Sequence, residues 1–129
     1  MPPVSGSVIR AFSGDELVYN ETLGDWRTHN GVDYACGAGD AVLAPVAGTV
    51  KTVKTDGNWG GVVELTDSEG RIWRLCGAAA PLVAAGDTVT AGQQLGVAGV
   101  IGCESAAGSH VHLEVLEGEK YCDPAELLG

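Results

Sequence analysis

All three histidines of this 129-residue chain fall into two short patterns that could bind a metal ion. In the first, His29 and Asp33 are four residues apart with Gly31 between them, which suits a bend that turns both side chains inward. The second is His110-Val111-His112, and residues two apart on a β-strand point to the same face. Two imidazoles and one carboxylate, with a fourth position open, are the donor set of a catalytic zinc site. Spacing alone leaves open whether a metal binds, because each pattern also occurs by chance.

The segments around these motifs are predicted to be short β-strands separated by tight turns. Residues 111–116 alternate between apolar side chains and the pair His112 and Glu114, as a strand with one buried face does. Residues 62–66 and 72–75 are predicted to form a hairpin through the turn at 67–70. Shorter strands are expected at 41–43 and 49–53, and one helical turn at 123–128. The sequence therefore predicts an all-β protein, a mostly antiparallel β-sandwich or coiled sheet, with a single domain over residues 1–129.

The charge balance excludes two classes of partner. The chain has 7 Lys and Arg against 17 Asp and Glu, a formal net charge of -10. A phosphate backbone would be repelled, so nucleic-acid binding is excluded, and so is a polybasic contact with a membrane surface. The N-terminal residues carry no signal peptide pattern, and we expect a targeting or anchoring segment upstream of Met1.

The cysteines are expected to be free thiols. They stand at positions 36, 76, 103 and 122, and no C-x-x-C pair that would indicate a structural zinc site occurs. Four cysteines allow three disulfide connectivities, among which a sequence cannot choose. The composition favours small buried apolar side chains, the usual environment of unpaired cysteine.

Several stretches, in order along the chain, resemble the lysostaphin/LytM-type zinc metallopeptidases, peptidase family M23. Residues 28–34 with 39–50 resemble its H-x-G-x-D motif, Gly-Asp turn and following A-x-x-x-G-x-V strand. Residues 83–96 resemble its V-x-x-G-D-x-V-x-x-G-Q-x-I-G stretch, and residues 108–115 its G-P-H-L-H-F-E-V motif. The resemblance covers about residues 26–128. The lead-in at 17–27 also resembles the branch that includes stage II sporulation protein Q.

This resemblance implies a fold, a metal and a set of roles. The fold is the LytM (duplicated hybrid motif-like) fold, a mostly antiparallel β structure around a groove. His29, Asp33 and His112 would hold Zn2+, and His110 would be one of two catalytic histidines beside it. The substrate class would be the peptide of bacterial peptidoglycan. The location would be the extracytoplasmic cell envelope, with the full-length protein anchored to a membrane.

One position departs from the family pattern. The second catalytic histidine of the family stands nine residues before the glycine of the Gly-Asp turn, and counting back from Gly86 leads to Gly77. Glycine can neither transfer a proton nor donate a side-chain hydrogen bond, so peptide hydrolysis is expected to be weak or lost. The alternative is a non-catalytic pseudopeptidase that binds a partner protein of the envelope. Cys76 either faces the site as a replacement or, as strand alternation favours, turns away into the core.

A few further residues have two interpretations each. Glu114 lies on the histidine face of its strand and either orients a ligand histidine or belongs to a solvated face, which we favour. Trp73 is expected in the core, and Trp59 at a groove rim or partner contact. Arg27 and Glu104 either contact a bound ligand or are surface charges, which we favour.

Overall fold

The computed structural model describes residues 3–4, 8–10, 12, 18–20, 25–27, 31–36, 39–56, 60–79, 81–98, 110–118, 120–124 and 127. Within these residues the chain forms the following strands: β1 (Val8–Arg10), β2 (Val18–Asn20), β3 (Asp25–Arg27), β4 (Val32–Ala35), β5 (Ala41–Leu43), β6 (Gly48–Asp56), β7 (Gly60–Thr66), β8 (Ile72–Cys76), β9 (Ala78–Ala79), β10 (Thr88–Val89), β11 (Gln94–Ala98), β12 (His110–Glu117) and β13 (Lys120–Cys122). The predicted all-β class is confirmed. Pro124 and Leu127 are helical, as predicted for the end of the chain. No helix of the described residues is long and apolar enough to cross a membrane.

The strands form one large sheet and two small ones, and every described pairing is antiparallel. The large sheet has the order β1-β4-β12-β8-β7-β6-β10, and β13 also pairs with β12. A three-stranded sheet has the order β5-β11-β9, and β2 pairs with β3. The predicted hairpin is β7–β8, with Thr66 opposite Ile72. In this order β12 lies between β4 and β8, so the strand with the second histidine motif pairs with the strand that contains Asp33 of the first motif.

The core is made of apolar side chains from the large sheet and the three-stranded sheet. One cluster joins Leu65, Trp73 and Leu113 of the large sheet to Val42 and Leu95 of the small one. All of these side chains are at most 2% exposed. Burying a side chain of this size contributes roughly 1.5–3 kcal/mol each, so the two sheets are held together chiefly by this contact. The prediction that Trp73 lies in the core is confirmed.

The two Gly-Asp turns have the conformation expected from their sequence. Gly39 and Gly86 have φ values of 85° and 96°, in the left-handed region that glycine adopts without strain. Asp87 Oδ2 accepts a hydrogen bond of 2.9 Å from the backbone N–H of Ala84. In the described part of the chain Cys36 and Cys122 are free thiols, in agreement with the sequence-based expectation for those two.

The turn between β7 and β8 is organised by the carboxylate of Asp67. Its Oδ1 accepts hydrogen bonds of 2.9 Å from the backbone N–H groups of Glu69 and Arg71, and its Oδ2 accepts one of 2.9 Å from Trp73 Nε1. Burial alone would raise the pKa of Asp67, but these hydrogen bonds and the charge of Arg71 outweigh it, and the pKa is lowered. The ionised carboxylate therefore connects the turn to the buried indole.

Replacing Asp67 with alanine is expected to lower the free energy of unfolding by about 1–3 kcal/mol near neutral pH, because three donors lose their acceptor. A carboxyl whose folded pKa is lowered contributes stability above its ordinary pKa of about 4 and loses it as the pH falls through the folded value. The difference between wild type and Asp67→Ala should therefore shrink in acid. Urea unfolding of both proteins near neutral pH, and again at a pH below the ordinary carboxyl pKa, measures this difference in unfolding free energy.

Glu69→Gln is the matched control for this turn. Glu69 also pairs with Arg71, at 2.8 Å, but its side chain is 66% exposed. An exposed ion pair contributes little, so this substitution should change the unfolding free energy by less than about 0.5 kcal/mol. An equal difference between wild type and Asp67→Ala at both pH values would contradict the role given to the Asp67 charge.

Candidate metal centre

Asp33 of the first histidine motif meets the second motif where β4 pairs with β12. Asp33 and His112 are directly opposite each other in that pairing, so their side chains share one face of the sheet. His112 Nδ1 lies 2.6 Å from Asp33 Oδ1, and the two side chains are 2% and 0% exposed. Residues separated by 79 positions in the chain are thus in contact away from water.

His110 approaches the same carboxylate from the neighbouring position on β12. Its Nε2 lies 3.6 Å from Asp33 Oδ2, and its side chain is 1% exposed. Because His110 and His112 are two residues apart on a strand, both address one face. Asp33 therefore contacts both histidines of the second motif, one with each carboxylate oxygen.

The donor types fit a zinc ion, although the described residues do not complete a site. Among them no group of three or more His, Cys, Asp or Glu side chains is arranged to hold a metal. His29, the remaining predicted ligand, lies outside the described residues. Two donors of one tetrahedral zinc ion are about 3.4 Å apart, given bond lengths of about 2.0–2.2 Å. The contact between Asp33 and His112 is shorter, so these side chains would separate slightly on taking up a metal.

Gly31 is the residue of the first motif whose small size the structure explains. It forms the bend before β4 and is buried. A Cβ atom at this position would lie 2.8 Å from His112 Nε2 and 2.9 Å from His112 Cε1, and closer still to the backbone oxygen of Leu113. The absence of a side chain at Gly31 therefore lets the imidazole of His112 pack against the backbone.

Gly77 follows β8 in a conformation that suits glycine alone. Its φ is 89°, and its N–H donates a 2.8 Å hydrogen bond to the carbonyl of Gly61. An L-residue in the left-handed region costs roughly 1–2 kcal/mol. A histidine introduced at position 77 would therefore be strained in this backbone conformation. The conformation of Gly77 also differs from the extended one of a residue on a regular strand.

Cys76 is fully buried, as we expected, but it lies on the histidine face of the sheet and not on the face that packs against the three-stranded sheet. It is directly opposite His112 in the pairing of β12 with β8, so it shares the histidine face, and it is absent from the core cluster that joins the two sheets. The alternation argument was wrong because Gly77 leaves the strand in a left-handed conformation. Strand parity therefore cannot be carried from residue 77 back to residue 76.

The prediction that Glu114 belongs to a solvated face is also wrong. Glu114 is only 5% exposed and pairs with Arg74, whose Nη1 lies 3.4 Å from Glu114 Oε1. Arg74 Nε donates a 2.8 Å hydrogen bond to Glu64 Oε2 on the next strand. Charged side chains can be buried when they are paired in this way. The pairing with Arg74 therefore allows the strand face that carries Glu114 to be buried.

The pKa values of Glu64 and Arg74 shift in the directions that keep both side chains ionised. Burial alone would raise the pKa of Glu64, but the hydrogen bond and charge of Arg74 outweigh it and lower the pKa. Burial opposes the ionised guanidinium of Arg74, but Glu64 and Glu114 raise its pKa. The guanidinium and its partner carboxylate therefore form a charged pair that crosses from β7 to β8.

Sequence reasoning did not single out Arg74 or Glu64, although a signal was present. Once the turn at 67–70 pairs Thr66 with Ile72, the same register places Glu64 opposite Arg74. Opposite charges at paired positions of a hairpin stabilise it. Of the other predicted contact residues, Trp59 and Glu104 lie outside the described residues, and Arg27 lies in β3 without a described side chain.

Comparison with known proteins gives one family match and several similar structures. Residues 27–124 match the family model of Peptidase family M23. A zinc-containing peptidase from Vibrio cholerae is 26% identical with a TM-score of 0.80, over 95% of this chain and 37% of that one. A chain of the SpoIIIAH and SpoIIQ complex is 26% identical with a TM-score of 0.84, over 98% of this chain and 97% of that one.

The antimicrobial peptidase lysostaphin from Staphylococcus simulans has the same fold. Its catalytic domain is 22% identical with a TM-score of 0.78, over 95% of this chain and 92% of that one. The predicted LytM-type fold is therefore confirmed. The chain spans 49% and 37% of the length of two of the peptidases that it matches. Because the family match extends over 98 of its 129 residues, the chain belongs to peptidase family M23.

Proposed function

We propose that this chain is a zinc-binding peptidase-like domain of the bacterial cell envelope in which peptide hydrolysis is weak or lost. The observation that carries the proposal is the buried contact of Asp33 with His110 and His112 in a member of family M23. Asp33, His112 and His29 are the proposed ligands. The zinc-containing Vibrio cholerae relative supports the choice of metal.

The proposed chemistry divides between the metal and His110. A bound zinc ion supplies a Lewis acid and lowers the pKa of water that it binds. His110 is the one described side chain proposed to move a proton, and the Asp33 carboxylate 3.6 Å from its Nε2 orients the ring. A second histidine at position 77 would have stabilised developing negative charge. Loss of one such donor typically costs about 10²–10³ in rate, which is the basis for expecting weak turnover.

A second candidate function is that of a pseudopeptidase that binds a partner protein. It is favoured by Gly77 together with the similarity to a chain of the SpoIIIAH and SpoIIQ complex, which covers 97% of that chain. In this case the domain would act through association with an envelope protein, and the substrate, peptidoglycan peptide, would no longer be cut. Both candidates assume a membrane-anchored, extracytoplasmic protein.

The test measures metal and turnover separately. Protein purified without chelators is expected to carry, or to take up on reconstitution, about one zinc per chain, the stoichiometry of a mononuclear site. Zinc-loaded protein is then incubated with purified peptidoglycan and with glycine-rich peptides, beside the catalytic domain of lysostaphin. We expect cleavage to be at least about 10² slower than that of lysostaphin.

Either half of the proposal can fail alone. A protein that cannot take up zinc overturns the metal assignment. Cleavage at a rate comparable to that of lysostaphin, abolished by a chelator and restored by zinc, overturns the view that activity is impaired and with it the second candidate.

A further inference from the structure

A row of charged side chains crosses three strands beside His112. Glu64 on β7 and Glu114 on β12 are each directly opposite Arg74 on β8. Arg74 Nε lies 2.8 Å from Glu64 Oε2, and Arg74 Nη1 lies 3.4 Å from Glu114 Oε1. The two carboxylates are 6% and 5% exposed. One cation thus lies between two buried anions.

Stability alone is a poor explanation for this row. Moving charges out of water costs several kcal/mol per ion, and apolar side chains of similar volume often stabilise a protein as well as a buried ion pair does. Glu64 is also close to the charge of Lys54, whereas Glu114 has Arg74 at the longer distance of 3.4 Å. The position of the Glu114 carboxylate points to a role.

The Arg74-bound oxygen of Glu114 faces the imidazole of His112. Glu114 Oε1 lies 3.8 Å from His112 Nε2, while His112 Nδ1 faces Asp33 at 2.6 Å. The distance of 3.8 Å is longer than a hydrogen bond, so Glu114 acts on the ring through its charge. If Nδ1, the nitrogen on the Asp33 side, holds the metal, the proton of a neutral imidazole must be on Nε2, and a carboxylate beside Nε2 stabilises that proton.

We propose that Glu114, held in place by Arg74, is a positioning residue for His112, favouring the ring orientation and the Nε2 proton that go with metal binding at Nδ1. This inference rests on the proposed function, in which His112 is a zinc ligand. Partners of this kind, outside the ligand set, typically affect metal affinity by about 10–100-fold. Glu64 takes no part in positioning His112, because it contacts Arg74 from the opposite side, one strand further away.

The two carboxylates provide a matched pair of variants. Glu114→Gln and Glu64→Gln each remove one negative charge from Arg74 at a buried position, but only Glu114 faces His112. Zinc affinity is measured by competition with a chromogenic chelator, and urea unfolding with EDTA present measures the stability of the metal-free fold. We expect Glu114→Gln to lower zinc affinity by about 10–100-fold, and Glu64→Gln to leave it near the wild-type value.

A conservative variant separates positioning from folding. Glu114→Asp keeps the charge and shortens the side chain by one methylene, so it should recover much of the affinity lost in Glu114→Gln. Equal zinc affinities for Glu114→Gln and Glu64→Gln would overturn the inference, and so would a Glu114→Asp variant as weak as a folded Glu114→Gln. If Glu114→Gln fails to fold, the zinc affinities of Glu114→Asp and Glu64→Gln are compared. Equal affinities would support the inference. A Glu114→Asp affinity about tenfold or more below that of Glu64→Gln would overturn it. Failure of the wild type to bind zinc would instead overturn the proposed function itself.

Discussion

Replacing Asp33 with alanine is expected to abolish zinc binding, the largest functional effect that we predict. The carboxylate is fully buried and lies against both His110 and His112. Loss of a residue outside the ligand set already costs about 10–100-fold in metal affinity, so loss of a ligand should exceed that range. Zinc content after dialysis against a weak chelator, measured by atomic emission, tests the prediction.

His110→Ala is the control for this experiment. It removes the other partner of the same carboxylate, but His110 is proposed to move a proton and not to hold the metal. This variant should retain zinc while any residual peptide cleavage disappears. Zinc retained by a folded Asp33→Ala protein, or lost from His110→Ala, would show that the roles have been assigned incorrectly. Urea unfolding with EDTA present compares the metal-free folds.

Gly31→Ala is expected to damage both the fold and the metal centre. The added Cβ would meet the backbone oxygen of Leu113 and lie 2.8 Å from His112 Nε2, so the backbone or the imidazole must shift. Overpacking of this kind typically costs about 1–3 kcal/mol. Because His112 is one of the two groups that must move, we also expect a measurable loss of zinc affinity.

Gly48→Ala separates these two effects. A Cβ at Gly48 would also meet a backbone oxygen, that of Thr66, but none of the three atoms nearest to it belongs to a histidine. Both variants should lower the urea midpoint, and Gly31→Ala alone should weaken zinc binding. If Gly31→Ala bound zinc as tightly as Gly48→Ala, the packing of His112 against Gly31 would have no bearing on the metal.

Local patterns in the sequence correctly predicted the strands at 41–43, 49–53, 62–66, 72–75 and 111–116 and the turn at 67–70. The alternation in residues 111–116 and the turn at 67–70 act over a few residues, so they can be read without the rest of the fold. The hairpin register follows from that turn, and it would have predicted the Glu64–Arg74 pair had it been used. The left-handed conformations of Gly39 and Gly86 were likewise expected from their Gly-Asp sequence.

The environment of the histidine face could not be predicted in the same way. The alternation along the strand predicts that His112 and Glu114 share a face, but it does not predict whether that face is buried. The buried Glu114 pairs with Arg74 on a neighbouring strand, and that partner is 40 residues away. Cys76 shares the face because the backbone leaves the regular strand conformation at Gly77, which depends on the close approach of Gly61.

By itself, the sequence determined the all-β class, the family resemblance and the two motifs that contain every histidine of the chain. It also determined that glycine stands at position 77, the position on which the proposal of weak or lost hydrolysis rests. The tertiary structure decided that Asp33 and His112, 79 residues apart, are in contact, and that Glu114 and Cys76 lie beside them. The reason is physical: strand and turn preferences depend on neighbouring residues, whereas contact and burial depend on which strands pair, and the whole chain determines that pairing.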